Sequence, residues 1–439
     1  MERLALGEQT SCLISCSPAA HADTALFTAD GLRRLRRMTI LRAALATIIL
    51  VSGVLGQQNM PSAAQSLYRP MIQQIENLLP TLADRGAGLF ALARLYAQVG
   101  ETQKAVALLK DSLATGEGFD PNGSDMLAPL RSNPGFRRLV KQAQKQSPAV
   151  QKAKVAFTVP EKDLFPEGLA YDPAKHVFYM GSMYRRKIVK ITEKGEVSDF
   201  VKPDQYQLQP IGGVHVDPTD QSVWAASDPD KAHGSELYHF NAEGKLLERY
   251  SPPGAGRHDL NDLVLYRSSA IYVTDSDANL TYRFDRQTHA FTPVRLPRAQ
   301  FFPNGITLSG DSTRLYIADW LGVIMVDLRD NSAREVHPGG YSTLCGVDGL
   351  YWYENSLIGV QSSAAFQVVR WFLSADGQHV TESRILEKGT PLVRFPTTGA
   401  IRGTRFYFMA NTGIANYDDG KIADPAKLEA VQIAVVSLE

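Results

Sequence analysis

Glu167, Asn261, Asn304 and Asp348 stand at one position of a turn motif that recurs along the later part of this 439-residue chain. The copies read PEGLAYDP from 166, IGGVHVDP from 211, LNDLVLY from 260, PNGITLSGD from 303, GVDGLYWYEN from 346 and PTTGAIRG from 396. The shared position holds Glu167, Gly213, Asn261, Asn304, Asp348 and Thr398: two carboxylates, two carboxamides, a glycine and a hydroxyl. Two carboxylates cancel the charge of a divalent cation and two amide carbonyls add neutral oxygen ligands, with neither sulfur nor imidazole in the set. Such a donor set favours hard Ca²⁺ over Zn²⁺ and the later transition metals; Mg²⁺ fits less well because it keeps more of its water, and another divalent cation ranks second. Taken singly, Asn-Gly and Asp-Gly are ordinary turn dipeptides that tolerate positive φ. Their recurrence at one register turns a set of turns into a candidate site.

The elements that must position these residues follow from the spacing. Consecutive motif positions are separated by 46, 48, 43, 44 and 50 residues. Repeats of about 40 to 50 residues with some four strands each are the signature of propeller blades. A second strand follows each turn, as HVFYMGSM, SVWAASD, AIYVTDSD, RLYIADW, SLIGVQS and RFYFMANT. Six copies predict a mainly β chain: a six-bladed β-propeller over 151–439, closed by strand exchange between the first and last blades, with VQIAVVSL from 431 as the expected closing strand. Loops entering the innermost strands gather at one mouth of a propeller's channel, so residues at one register converge on the axis.

Ahead of the propeller the period changes. Over 65–150 the residues Leu89, Leu92, Ala93 and Tyr96, then Ala105, Leu108, Leu109 and Leu113, recur at three- and four-residue steps on either side of Gly100. This predicts a small all-α module whose FALARLYAQVGETQKAVALLKDSL resembles one tetratricopeptide repeat, with further helix expected between Phe119 and Ala143. A single repeat makes a short groove and has an apolar face to bury, which favours a cap on the next domain over a peptide-binding groove, although a protein partner through this module stays open. Lys141, Lys145, Pro148, Lys152 and Lys154 mark a polar linker near 150.

Residues 1–64 read as an unpatterned leader and a signal peptide. Arg33, Arg34, Arg36 and Arg37 precede Met38, the expected start, and the uncharged run Ala43 to Leu55 follows. As a helix that run spans about 20 Å, short of a roughly 30 Å hydrocarbon core, so an uncleaved anchor is the weaker reading. Small residues place cleavage after 56 or after 64, which implies export to the periplasm or beyond and no stable membrane span afterwards. Of Cys12, Cys16 and Cys345 only the last would remain, so no disulfide framework is expected. Lys+Arg and Asp+Glu number 46 each, which leaves no basic field to collect nucleic acid.

Residues 157–439 resemble the senescence-marker-protein/gluconolactonase group of six-bladed propellers, whose relatives include regucalcin, the paraoxonases and diisopropylfluorophosphatase. The likeness rests on a Glu in PEG, an Asn in a third-blade Asn-Asp turn, an Asn in an Asn-Gly turn and an Asp in an Asp-Gly turn, all intact here as Glu167, Asn261, Asn304 and Asp348. The resemblance implies a Ca²⁺-dependent hydrolase of small-molecule lactones or aryl esters. The metal, held by those four residues, would polarise the carbonyl, and Asp348 would act as base or nucleophile. Asp262 and Asp319 would support the site from behind, with His258 at its margin. The sequence departs from relatives in three places: IGG stands where paraoxonases place a histidine, so His215 and His258 read as rim or packing residues; Leu263 stands where many gluconolactonases have glycine; and Cys345 reads as a buried small hydrophobe. The alternative is a non-catalytic, calcium-stabilised propeller scaffold that binds a protein or small molecule. A strictosidine-synthase-like condensing enzyme would need a channel glutamate and no metal, and the intact quartet counts against it.

Overall fold

Short runs of Val, Ile, Tyr and Phe punctuated by Gly, Pro, Asn and Asp give six antiparallel blade sheets, five of four strands and one of five, in the computed structural model, which describes residues 63–439 apart from 231, 232 and 419. The leader, Met38 and the expected signal sequence lie outside the described residues. The innermost strands are β1 (Pro166–Asp172), β2 (Ile211–Val216), β3 (Leu260–Tyr266), β4 (Ile306–Leu308), β5 (Val347–Tyr353) and β6 (Gly399–Arg402). Each packs on the next around the ring, and β6 returns to β1. The expected six-bladed propeller is therefore the observed fold. Apolar side chains fill the space between blades; Phe178, Met180 and Val189 of the first, for example, meet Tyr407, Met409 and Ile433 of the sixth.

Closure comes from the amino-terminal side. Val431–Ser437 joins the last blade as its third strand, and Lys154–Val159 pairs outside it to complete the sheet. The preceding Val150–Gln151 pairs with the outer strand Val380–Lys388 of the fifth blade. The polar linker is thus itself a staple across two neighbouring blades, and no long edge is left open there.

Upstream lie α1 (Ala63–Leu78), α2 (Arg85–Gln98), α3 (Thr102–Ala114) and α4 (Pro134–Gln146). Gly100, at φ +81°, turns the chain between α2 and α3, a conformation that a residue without Cβ adopts at no steric cost. Of the further helix expected between Phe119 and Ala143, α4 is present, while ahead of it the chain makes two short 3₁₀ turns, Pro121–Gly123 and Asp125–Leu130, where Pro121 and Pro129 remove backbone donors. The amphipathic pattern of α2 understates its burial: every residue from Gly86 to Ala97 is buried. One side packs on α1 and α3, and the other is covered by Phe301, Phe302, Leu321, Cys345 and Ala364 from loops of the fourth and fifth blades. The helices sit as a cap on the propeller. No helix among the described residues is long and apolar enough to cross a membrane.

Candidate metal and substrate site

The motif residues fall where the inner strands break register. Pairing with the second strand slips between Pro166 and Leu169, between Ile211 and Val214, between Leu260 and Leu263, and between Val347 and Gly349. A bulge turns a side chain out of the strict alternation of a strand and toward the axis. Glycine at these points lets neighbouring inner strands close up: a Cβ on Gly168 would stand 2.1 Å from the Gly212 carbonyl oxygen. Asn304 reaches the same level differently, on the turn just before β4, where its N–H donates to the Ala318 carbonyl (2.9 Å).

Glu167, Asn304 and Asp348 line one cavity of about 110 Å³, together with Asp228, Ser276 and Ser362. Asn261 stands behind Ser276: its Nδ2 donates to Ser276 Oγ (3.1 Å), and that hydroxyl donates to the Pro303 carbonyl (2.7 Å) beside Asn304. With the amide nitrogen so engaged, Asn261 Oδ1 is the end left to accept. Ser362 Oγ donates to Asp348 Oδ2 (2.9 Å) and fixes that carboxylate. Thr274 Oγ1 donates to the Asn304 carbonyl (2.8 Å), and Thr398 Oγ1 to the Glu167 carbonyl (2.6 Å). The sixth motif position therefore holds the backbone of the first. Ser276, Thr274 and Ser362 sit outside the motif register and carry no signal in the sequence.

Asn304 Oδ1 is buried with no hydrogen-bond donor. A buried carbonyl left in this way costs about 1–3 kcal/mol. Beside two carboxylates in one cavity, that oxygen fits a hard divalent cation, so the residues present suit the metal expected from the sequence. Among the described residues no three His, Cys, Asp or Glu side chains are grouped closely enough to hold a metal ion by themselves.

The residues expected behind this set are placed differently from one another. Asp262 is buried below the cavity, accepts the Leu263 N–H (2.8 Å), and is pushed up to about 7 by burial, with the Asp348 charge adding to the rise. His215 Nε2 lies 3.8 Å from it, and burial in the channel pushes that imidazole down to about 4, so it is neutral at physiological pH. Tyr351, whose hydroxyl accepts the Gly399 N–H (2.6 Å), stands half-buried close to the same two aspartates. Asp319 reaches the cavity wall but gives its carboxylate to Arg298, at 2.5 and 3.0 Å. His258 lies off the cavity wall, with Nδ1 2.6 Å from Asp275 Oδ2. Cys345 is buried under α2 with its thiol pushed up to about 12, which suits the small-hydrophobe reading.

The cap supplies part of the wall. Arg94 of α2 and Gly123, Ser124, Asp125 and Met126 of the 3₁₀ turns line the same cavity. A wider groove of about 1030 Å³ runs between those turns and loops of the sixth blade, and shares Gly123, Asp125 and Phe395 with the cavity.

No family model and no curated protein sequence matches the chain. Solved structures align with about two thirds of the chain. A gluconolactonase of Xanthomonas campestris aligns at 16% identity and TM-score 0.46, covering 66% of this chain and 97% of its own. A calcium-binding regucalcin of Agrobacterium tumefaciens aligns at 18% and 0.45, covering 64% and 93%. A virginiamycin B lyase of Staphylococcus aureus aligns at 14% and 0.46, covering 66% and 99%.

Proposed function

We propose that this chain is a calcium-dependent hydrolase of lactones or aryl esters. The observation that carries the reading is the convergence of Glu167, Asn304 and Asp348 on one cavity in which Asn304 Oδ1 has no donor of its own. Glu167, Asn261, Asn304 and Asp348 would hold the ion. When bound, a divalent cation supplies polarisation of the substrate carbonyl. The remaining chemistry belongs to the protein. Ser362 holds Asp348 through Oδ2, and Asp348 takes the proton of a water whose oxygen adds to the carbonyl carbon; the acyl C–O bond then breaks and the proton passes to the departing oxygen. In the nucleophilic variant Asp348 bonds to the carbonyl carbon as the alkoxide leaves, and water then hydrolyses the acyl-aspartate anhydride. Asp262 lies buried below with the half-buried His215 beside it, and the 3₁₀ turns of the cap form part of the cavity wall.

The test is a calorimetric calcium titration of the full chain beside hydrolysis of dihydrocoumarin and phenyl acetate, before and after chelation. Calcium binding and chelator-sensitive turnover, both lost in Asp348→Ala, support the reading. Turnover that survives chelation overturns the metal's role. Calcium binding without turnover of any lactone or ester leaves the non-catalytic scaffold as the function. Export completes the proposal, and a mature amino terminus found near Gln57 or Gln65 would support it.

A further inference from the structure

Arg94 lies in the middle of α2 and is 1% exposed. Its guanidinium stacks over the Trp320 ring at 4.4 Å and stands 5.1 Å from the Phe90 centroid. Nη1 makes one long bond to the Ser363 carbonyl (3.5 Å), while Nε and Nη2 are buried with no hydrogen-bond partner. Those two nitrogens form the side-on fork with which arginine grips a carboxylate in two parallel hydrogen bonds. The acids nearby are committed elsewhere: Asp319 pairs with Arg298 and Asp125 with Arg131. Cys345 is a neutral thiol, and Arg94, lowered by burial only to about 10, keeps its charge at neutral pH. A buried cation whose fork is unanswered is costly to keep, and aromatic stacking holds its plane without satisfying its donors.

Arg94 also stands next to the chemistry. It lines the cavity that holds Asp348, and Ser363, which its Nη1 meets, follows Ser362, whose hydroxyl holds Asp348. We propose that Arg94 is a specificity-determining residue that binds a carboxylate on the substrate, so that the natural substrate is an acidic lactone or ester whose carboxylate lies away from the reacting bond. This rests on the hydrolase reading. The groove between the cap's 3₁₀ turns and the sixth blade meets this cavity at Gly123, Asp125 and Phe395 and offers such an acid a way in.

Tetrahydrofuroate has the ring and the carboxylate but no bond to hydrolyse, and its amide lacks the charge. Calorimetry on the full chain, saturated with calcium, should find the carboxylate bound about 30-fold more tightly than the amide. Arg94→Met should abolish that ratio, and Arg94→Lys, which keeps the charge without the fork, should retain only part of it. Equal binding of acid and amide by the wild type, or a ratio that survives in Arg94→Met, overturns the proposal. Should Arg94→Met fail to fold, the wild-type ratio and the Arg94→Lys variant decide the matter alone. Turnover of γ-carboxy-γ-butyrolactone and its amide separates the two readings. A carboxylate preference in binding with no hydrolysis of either lactone overturns the hydrolase and leaves Arg94 an acid-binding residue. Hydrolysis of both lactones at the same kcat/KM, in wild type and Arg94→Met alike, overturns the role of Arg94 and leaves the hydrolase.

Discussion

Replacing Asn304 by leucine should stabilise the metal-free protein and destabilise the calcium-loaded one relative to wild type. Asn304 Oδ1 is buried without a donor, and the backbone at this position lies outside the left-handed region, so leucine brings no conformational strain. Removing an unanswered buried carbonyl is worth about 1–3 kcal/mol, of which imperfect packing of the apolar replacement takes back some; a net gain of about 1 kcal/mol is expected. Calcium at one hundred times its dissociation constant stabilises a protein with an intact site by about 2.7 kcal/mol. A variant lacking one ligand gains little at the same concentration, so wild type should lead by about 1.7 kcal/mol in calcium and trail by about 1 kcal/mol in chelator. For a chain of this size each kcal/mol moves the midpoint by about 1 °C, so the assay is differential scanning calorimetry of both proteins in chelator and in calcium. A crossing of the two orders is the expected result. A calcium-induced shift in Asn304→Leu as large as in wild type would refute the assignment of the ion to the axis.

Three further outcomes are expected. Ser362→Ala removes the hydroxyl that holds Asp348 Oδ2 and should lower kcat about 10- to 100-fold with the unfolding midpoint nearly unchanged, checked by steady-state kinetics beside thermal unfolding. Gly168→Ala places a Cβ 2.1 Å from the Gly212 oxygen and 2.8 Å from the Val214 nitrogen, both backbone atoms of the next blade, so it should cost about 1–3 kcal/mol in urea unfolding and weaken calcium binding as β1 moves off β2. The Asp275 carboxylate holds His258 above its usual 6.5, so this pair stabilises the fold fully below about pH 6.5 and loses that contribution as pH rises through the raised folded value. The stability difference between wild type and His258→Gln, followed by urea midpoints from about pH 5.5 to 9, should therefore shrink with rising pH.

Much of the ring was legible because its signal is local and repeated. A Gly, Asn or Asp turn followed by alternating apolar residues marks an inner strand, and six such marks at one spacing leave few architectures. The four acceptors at one register became visible for the same reason; of them Glu167, Asn304 and Asp348 line one cavity, while Asn261 lies behind Ser276. Closure was harder to read, since both 154–159 and 431–437 alternate as strands and the choice between them depends on pairing across the whole length of the chain. Arg94 was hidden by its context: within LFALARLYAQ a lone arginine reads as the polar face of an amphipathic helix, and only the propeller packed over α2 makes it a buried charge. His258 and Asp319 stand close to the site in sequence, yet their partners Asp275 and Arg298, 17 and 21 residues away, take up their charges. No turn pattern announces such pairs.

The cap does more than cover the mouth. Asp84, at the amino end of α2, accepts from Ala87 N–H (2.7 Å) within the helix and from Thr343 Oγ1 (2.8 Å) and Leu344 N–H (3.0 Å) in the loop that leads into Asp348. The Asp120 N–H donates to the Ala364 carbonyl (2.8 Å), just past Ser362 and Ser363. Gln361 Nε2 then ties the two propeller loops together by donating to the carbonyls of Thr343 (3.1 Å) and Cys345 (2.7 Å). The helical module therefore grips both loops that present the Asp348–Ser362 pair, and the same helix carries Arg94 to the cavity wall. Such anchoring matters because a carboxylate that must accept a proton in one orientation loses rate when its supporting loops are free to drift. A propeller stripped of α1 to α4 would lose the clamp on Asp348 together with the buried guanidinium of Arg94. The cap thus belongs to the site as much as the blades do.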